Sequence, residues 1–125
     1  MRKIITVFLL SVCFSISSCG DRHCIKGNCR DGFGIHIIPD EISYLGDWKE
    51  GKYHGQGKLT YPDGRFYEGS FVKGQMQGEG TLVYPDGSKY MGLWEDDLRH
   101  GTGIFIFPDG TEYTGQWKND SIEGY

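Results

Sequence analysis

From residue 31 onward, large apolar residues alternate with small or polar ones in short runs broken by turn residues. Alternation with a period of two is strand patterning, and no segment of adequate length carries helical periodicity. The runs repeat every 23 residues. Tyr44-Leu45-Gly46-Asp47-Trp48 returns as Tyr67-Glu68-Gly69-Ser70-Phe71, as Tyr90-Met91-Gly92-Leu93-Trp94 and as Tyr113-Thr114-Gly115-Gln116-Trp117. Between them stand Gly55-Gln56-Gly57, Gly78-Glu79-Gly80 and Gly101-Thr102-Gly103, followed by Pro62-Asp63-Gly64, Pro85-Asp86-Gly87 and Pro108-Asp109-Gly110. An earlier, degraded unit has Gly32-Phe33-Gly34 and Pro39-Asp40, but Glu41 where Gly is due. The last unit stops at Gly124-Tyr125, which fits a natural end and a truncated gene model equally.

Pro-Asp-Gly is the signature of a three-residue hairpin loop, with Pro presetting φ and Gly supplying a positive φ. Tyr84 then pairs with Ser88. Counting outward sets Leu82 opposite Tyr90, Gly80 opposite Gly92 and Gly78 opposite Trp94. The same count sets Gly55 opposite Phe71, Gly101 opposite Trp117 and, in the degraded unit, Gly32 opposite Trp48. Each large ring thus faces a residue without a side chain, and the expected reason is room for the ring to lie over backbone. One face carries the Tyr, Gly and Trp/Phe positions with Leu59, Tyr61, Leu82, Tyr84, Phe105 and Phe107, and is the expected core. The other carries Lys58, Thr60, Glu68, Ser70, Glu79 and Thr81 and is the solvated face. Hairpins joined by short turns such as 95–100 make an all-β fold, an elongated single-layer antiparallel meander in which each unit contacts its neighbours.

Composition explains why this is not a linker. Twenty glycines in 125 residues suggest disorder, but 14% aromatics do not. A formal charge of −4 argues against nucleic acid as a partner, since such a binder needs a basic surface.

Residues 1–18 read as a secretory signal: Arg2 and Lys3, then the apolar run 4–14, then small residues. That run is too short to span a bilayer. Ile16-Ser17-Ser18-Cys19 resembles the bacterial lipobox, which implies that Cys19 receives diacylglycerol. An ordinary signal peptide is the alternative. Cysteine parity favours lipidation, because Cys13 leaves with the signal and Cys24 and Cys29 remain as an even pair for a disulfide. A zinc site of His23, Cys24 and Cys29 is the rival for these thiols, though a fourth ligand at usual spacing is missing. Loss of the signal leaves 11 basic against 17 acidic residues, a net of −6, which would not draw the body to an anionic bilayer. The expected division is signal 1–18, lipidated tether 19–30 and repeat sheet 31–125.

The in-phase Tyr-x-Gly-x-Trp/Phe, Gly-x-Gly and Pro-Asp-Gly elements resemble the MORN repeat, the "membrane occupation and recognition nexus" family, over about residues 30 to 125. The resemblance implies an elongated, twisted single-layer sheet. Similar repeats occur in junctophilins, in plant phosphatidylinositol-phosphate kinases and beside the catalytic domain of a histone lysine methyltransferase. There they serve as scaffold or binding platform while another domain performs any reaction.

Candidate chemistry is thin. His54 and His100 share a repeat position before a Gly and belong to the turn, while His36 falls on the core face opposite Tyr44. No histidine has a nucleophile or carboxylate at catalytic spacing. Glu95-Asp96-Asp97 lacks Ca²⁺-loop spacing, and its acids are expected to be solvated. No catalytic residue, metal, cofactor or small-molecule substrate is expected. On the outer face, Val83, Met91, Leu93, Ile104 and Ile106 form a candidate interaction patch. The preference of β-branched residues for strands explains them equally. Open sheet edges also invite pairing with another chain.

The expectation is a non-catalytic scaffold, lipid-anchored through Cys19 in a bacterial cell envelope, with an unidentified protein partner or a second copy of itself. Gly20 after Cys19 points to the outer rather than the inner membrane. The rival readings are a lipid head-group binding module and an accessory subunit of an envelope enzyme.

Overall fold

A computed structural model describes residues 23–124. The expected signal segment 1–18 and the lipidation position Cys19 lie outside the described residues. The described residues form one antiparallel sheet of ten strands in sequence order, a pure meander. The strands are β1 (Cys24–Gly27), β2 (Gly32–Ile37), β3 (Ser43–Lys49), β4 (Lys52–Thr60) and β5 (Phe66–Val72). They continue as β6 (Gln75–Val83), β7 (Lys89–Glu95), β8 (Leu98–Ile106), β9 (Glu112–Lys118) and β10 (Ser121–Gly124). The stretch expected as a tether contributes β1, so the sheet begins at Cys24 and not at residue 31.

The register follows the count from the turns. Tyr84 N–H donates to the Ser88 carbonyl at 2.9 Å, and Gly87 N–H to the Tyr84 carbonyl at 3.0 Å. Leu82 pairs with Tyr90, Gly80 with Gly92 and Gly78 with Trp94. Gly55 pairs with Phe71 and Gly101 with Trp117. The degraded unit keeps the same register, with Gly32 opposite Trp48. There the positive φ has moved one residue toward the N-terminus, to Asp40 at 62°. Asp tolerates that region better than most residues, so Glu41 need not enter it. Within the regular turns, Asp86 accepts from the Ser88 hydroxyl at 2.6 Å and from its N–H at 2.9 Å, which holds the carboxyl below its usual range.

The alternate turns have two residues each, Glu50-Gly51, Lys73-Gly74, Asp96-Asp97 and Asn119-Asp120, with positive φ at both positions. This is the type I′ hairpin, whose twist matches that of the strands. These turns also tie neighbouring repeats together. The Asp97 N–H donates to the Met76 carbonyl at 3.1 Å, while Asp97 Oδ1 accepts from the Met76 N–H at 2.8 Å. Asp120 and Arg99 repeat this reciprocal pair one unit later. Asp97 is therefore an inter-repeat clamp and not merely a solvated turn acid. Asp97→Ala should cost about 2 kcal/mol, from the lost charged bond and the positive φ. Asp97→Asn keeps the acceptor and the tolerance and should stay within about 0.5 kcal/mol in chemical denaturation. Equal losses in both variants would refute the clamp.

The core is a ladder of rings on one face. Trp48–Tyr44, Tyr44–Phe71, Phe71–Tyr67, Tyr67–Trp94, Trp94–Tyr90 and Tyr90–Trp117 meet edge to face, with centroids 5.0–5.3 Å apart. Such contacts add about 0.5–1.5 kcal/mol per pair beyond area burial. Tyr44, Tyr67, Tyr90 and Phe71 are fully buried in this single layer.

The glycines do a different job from the one the pairing suggests. Gly55, Gly78 and Gly101 sit opposite rings, yet each has a positive φ of 77–85°, in a stretch where the strand pairing shifts. A Cβ on Gly78 would meet Ser70 on the outer face, away from the ring. The room needed by rings comes from the second glycine of each pair. Tyr67 lies across Gly80, Tyr44 across Gly57 and Tyr90 across Gly103, so closely that a Cβ would collide with the ring and hydroxyl. The Tyr67 hydroxyl then donates to the Ser70 carbonyl at 2.9 Å, and Trp94 Nε1 donates to the Gly80 carbonyl at 3.1 Å. Phe107 shares the expected face and touches Phe105, but at 41% exposure it is not core, because it opens the Pro108 turn. Met76, absent from the expected core, is buried.

Burial holds the Tyr90 hydroxyl protonated up to about 12, despite the nearby Arg99, and the same cause pushes Tyr44 and Tyr67 up further. The folded state thus keeps these protons more tightly than the unfolded chain does. Stability should be intact below pH ~10 and fall above it, by up to about 1.4 kcal/mol per pH unit for each such tyrosine. Thermal melts across that range, beside a Tyr90→Phe variant with a shallower decline, test this.

Candidate interaction surface

The outer face is where repeats differ from one another. Its central row runs directly across the strands, residue opposite residue: Lys26, Ile35, Leu45 and Lys58 over β1–β4, then Glu68, Thr81, Met91 and Ile104 over β5–β8. Of the five residues expected as a patch, the structure brings Met91, Leu93 and Ile104 together. Val83 and Ile106 lie one row over, with Lys89 between them and paired to both. The patch is smaller than expected, because the register puts a lysine in its middle.

Met91, Leu93 and Ile104 line one end of an open trough of about 850 Å³ that crosses the sheet over Gly69, Gly80, Gly92 and Gly103. Glu68 lies toward the other end, and Glu79 stands opposite Leu93 across the strands. Lys58 is paired with Glu68 across the strands, yet its Nζ sits 4.4 Å above the Phe66 ring. No ion pair among the described residues engages either glutamate. The trough therefore offers two exposed carboxylates beside an apolar wall.

A second apolar group escaped the sequence reading. Phe33, Ile35 and Ile37 on β2 and Leu45 on β3 share the outer face at the N-terminal end. The strand alternation of 33, 35 and 37 was a usable signal, obscured because that unit is degraded.

Cys24 and Cys29 form a disulfide with Cα atoms 5.8 Å apart, so neither thiolate is available for zinc. The segment just after the loop they close meets the first type I′ turn: the Arg30 carbonyl accepts from Gly51 N–H at 3.0 Å and Asp31 Oδ1 from Glu50 N–H at 3.0 Å. It stands where a preceding repeat would stand. His36 packs edge to face on Trp48 at 5.6 Å, and His100 Nε2 lies 3.5 Å from Glu95 Oε1. Among the described residues, no group of three or more His, Cys, Asp or Glu is arranged to hold a metal. No helix there is long and apolar enough to cross a membrane.

A single-layer repeat sheet, with its rings and turns committed to structure and its variable residues on one open face, defines an interaction module. The MORN repeat model matches residues 44–64, 67–89, 90–112 and 113–125, more than half of the chain, and the chain belongs to the MORN-repeat family. Repeats of this family mark membrane- or protein-interaction modules.

Proposed function

We propose that this protein is a non-catalytic scaffold, tethered to the bacterial envelope by lipid on Cys19, that docks a protein partner on its outer face. The observation that carries the reading is the division of labour across the sheet. Every residue that defines the repeat is spent on a turn, a clamp or a ring contact, which leaves the outer face free to vary. On that face Met91 and Leu93 are exposed beside Ile104, next to carboxylates without a cation. An apolar wall beside unpaired acids suits a partner segment that carries apolar and basic side chains together. The lipobox-like Ile16-Ser17-Ser18-Cys19 supports the anchor, and the Cys24–Cys29 bond leaves Cys19 the remaining thiol of the mature chain.

Leu93→Lys with Ile104→Lys should lower recovery of the partner by at least about tenfold in crosslinking from native cells, since buried anchors carry most interface energy. The sheet should stay folded, because both side chains lie on the outer face. Unchanged recovery would refute docking there. Cys19→Ala should move the protein from the membrane to the soluble fraction, and failure to do so would refute the lipid anchor.

A further inference from the structure

We propose that the N-terminal end of the outer face, Phe33, Ile35, Ile37 and Leu45 between Lys26 and Lys58, rests on the membrane surface, so that the sheet is oriented as well as anchored. This rests on the anchor reading above. The first argument is reach. Cys24 is five residue steps after Cys19, and an extended chain of that length spans at most about 18 Å. Fraying of β1 cannot lengthen this tether, because Cys24 is bonded to Cys29 and so to the base of the sheet. The outer rows of β2 and β3 lie within roughly 10 Å of β1 by strand spacing, whereas β7 lies about 30 Å away along the sheet. A lipid on Cys19 therefore brings the first strands to the bilayer and leaves the trough outside it.

The second argument is what those strands display. Phe33 is 50% and Leu45 45% exposed, and Ile35 and Ile37 lie beside them on the same face. Lys26 pairs with Ile35 and Lys58 with Leu45, so a lysine closes each end of this apolar row. Of the carboxylates near this part of the face, Asp47 accepts from the Gln56 N–H at 3.3 Å, and Glu68 stands opposite Lys58 on the side away from Leu45. Apolar side chains with a lysine at either side match the boundary between acyl chains and anionic head groups. The net charge of the body opposes membrane binding, but charges more than a Debye length of about 8 Å away are largely screened. The surface nearest the anchor is the one that counts. With this end down, Met91, Leu93 and Ile104 face the aqueous side, free for a partner.

The test is a photo-crosslinking residue placed at Leu45 or at Leu93 in the full chain in native cells, with lipid adducts read by mass spectrometry. Phospholipid adducts from position 45 and few from position 93 are expected. An acylated, membrane-bound chain that gives none from position 45, or equal amounts from both positions, overturns the proposal. The mass of the N-terminal peptide reports separately whether Cys19 is acylated. If it is not, the anchor reading fails by itself, and the patch is decided on vesicles of phosphatidylethanolamine and phosphatidylglycerol. Binding of the Cys19→Ala chain to these should fall about fivefold on Lys26→Gln, the effect of one lysine near an anionic surface. It should fall further on Phe33→Asp with Leu45→Asp, the fold being checked by tryptophan fluorescence. Absence of vesicle binding, or binding indifferent to these changes, overturns the proposal in that case.

Discussion

Gly80→Ala is expected to destabilise the protein by about 3 kcal/mol or more and to lower Tm by roughly 10–20 °C. The added Cβ would occupy the place of the Tyr67 ring and hydroxyl. Tyr67 has no alternative place, because it is fully buried between Phe71 and Trp94, with centroids 5.0 and 5.3 Å away. Displacing it also breaks the bond from its hydroxyl to the Ser70 carbonyl, leaving a buried donor unpaired. Gly74→Ala is the matched control. Its Cβ would meet nothing within 4 Å, and only the positive φ of 85° resists it. That costs about 1–2 kcal/mol. Thermal melts of both variants decide the matter. If they fall equally, the ring contact is not what the glycine protects.

Reduction of Cys24–Cys29 is expected to cost about 2 kcal/mol, the loop-closure value for so short a loop. The loss should be local. In a meander each hairpin is held by its neighbours, and among the described residues β1 pairs on one side only. Arg30 and Asp31, directly after the closed loop and held in place by it, satisfy the first type I′ turn. Amide exchange at Glu50 and Gly51 should therefore speed up by roughly thirtyfold on reduction. The amide of Asp97, two repeats away, should be unaffected. Unchanged exchange at Gly51 would show that the loop is not a cap. Uniform acceleration across the sheet would show that the bond acts globally. An oxidising compartment thus secures the same end of the sheet that the anchor reading places at the membrane.

Much of the fold was legible because its rules are local. A three-residue turn and a period of two set the pairing of Leu82 with Tyr90 and of Gly78 with Trp94 without knowledge of any other strand. They also set the faces, since a side chain one residue out of step lies on the opposite side. The candidate surface was only half legible. Met91, Leu93 and Ile104 lie close in sequence and could be counted together. Val83 and Ile106 could not be judged without the lysine that the register inserts between them. Lys26 and Lys58 are 32 residues apart, and they share a row only because β1 joins the sheet. A sequence with few basic residues gave no reason to look for a basic rim there.

The opening alternation and its 23-residue period were enough to specify an all-β meander, its turns, its register and its two faces. Each of those depends on contacts between residues adjacent across one hairpin. Packing between repeat units decided the rest. It laid Tyr67 over Gly80, turned the Cβ direction of Gly78 outward, and closed Asp97 on Met76. It also drew the segment expected as a tether into the edge of the sheet. These are relations between units, where the outcome depends on how two hairpins bend together, and no run of residues within one hairpin encodes that bend.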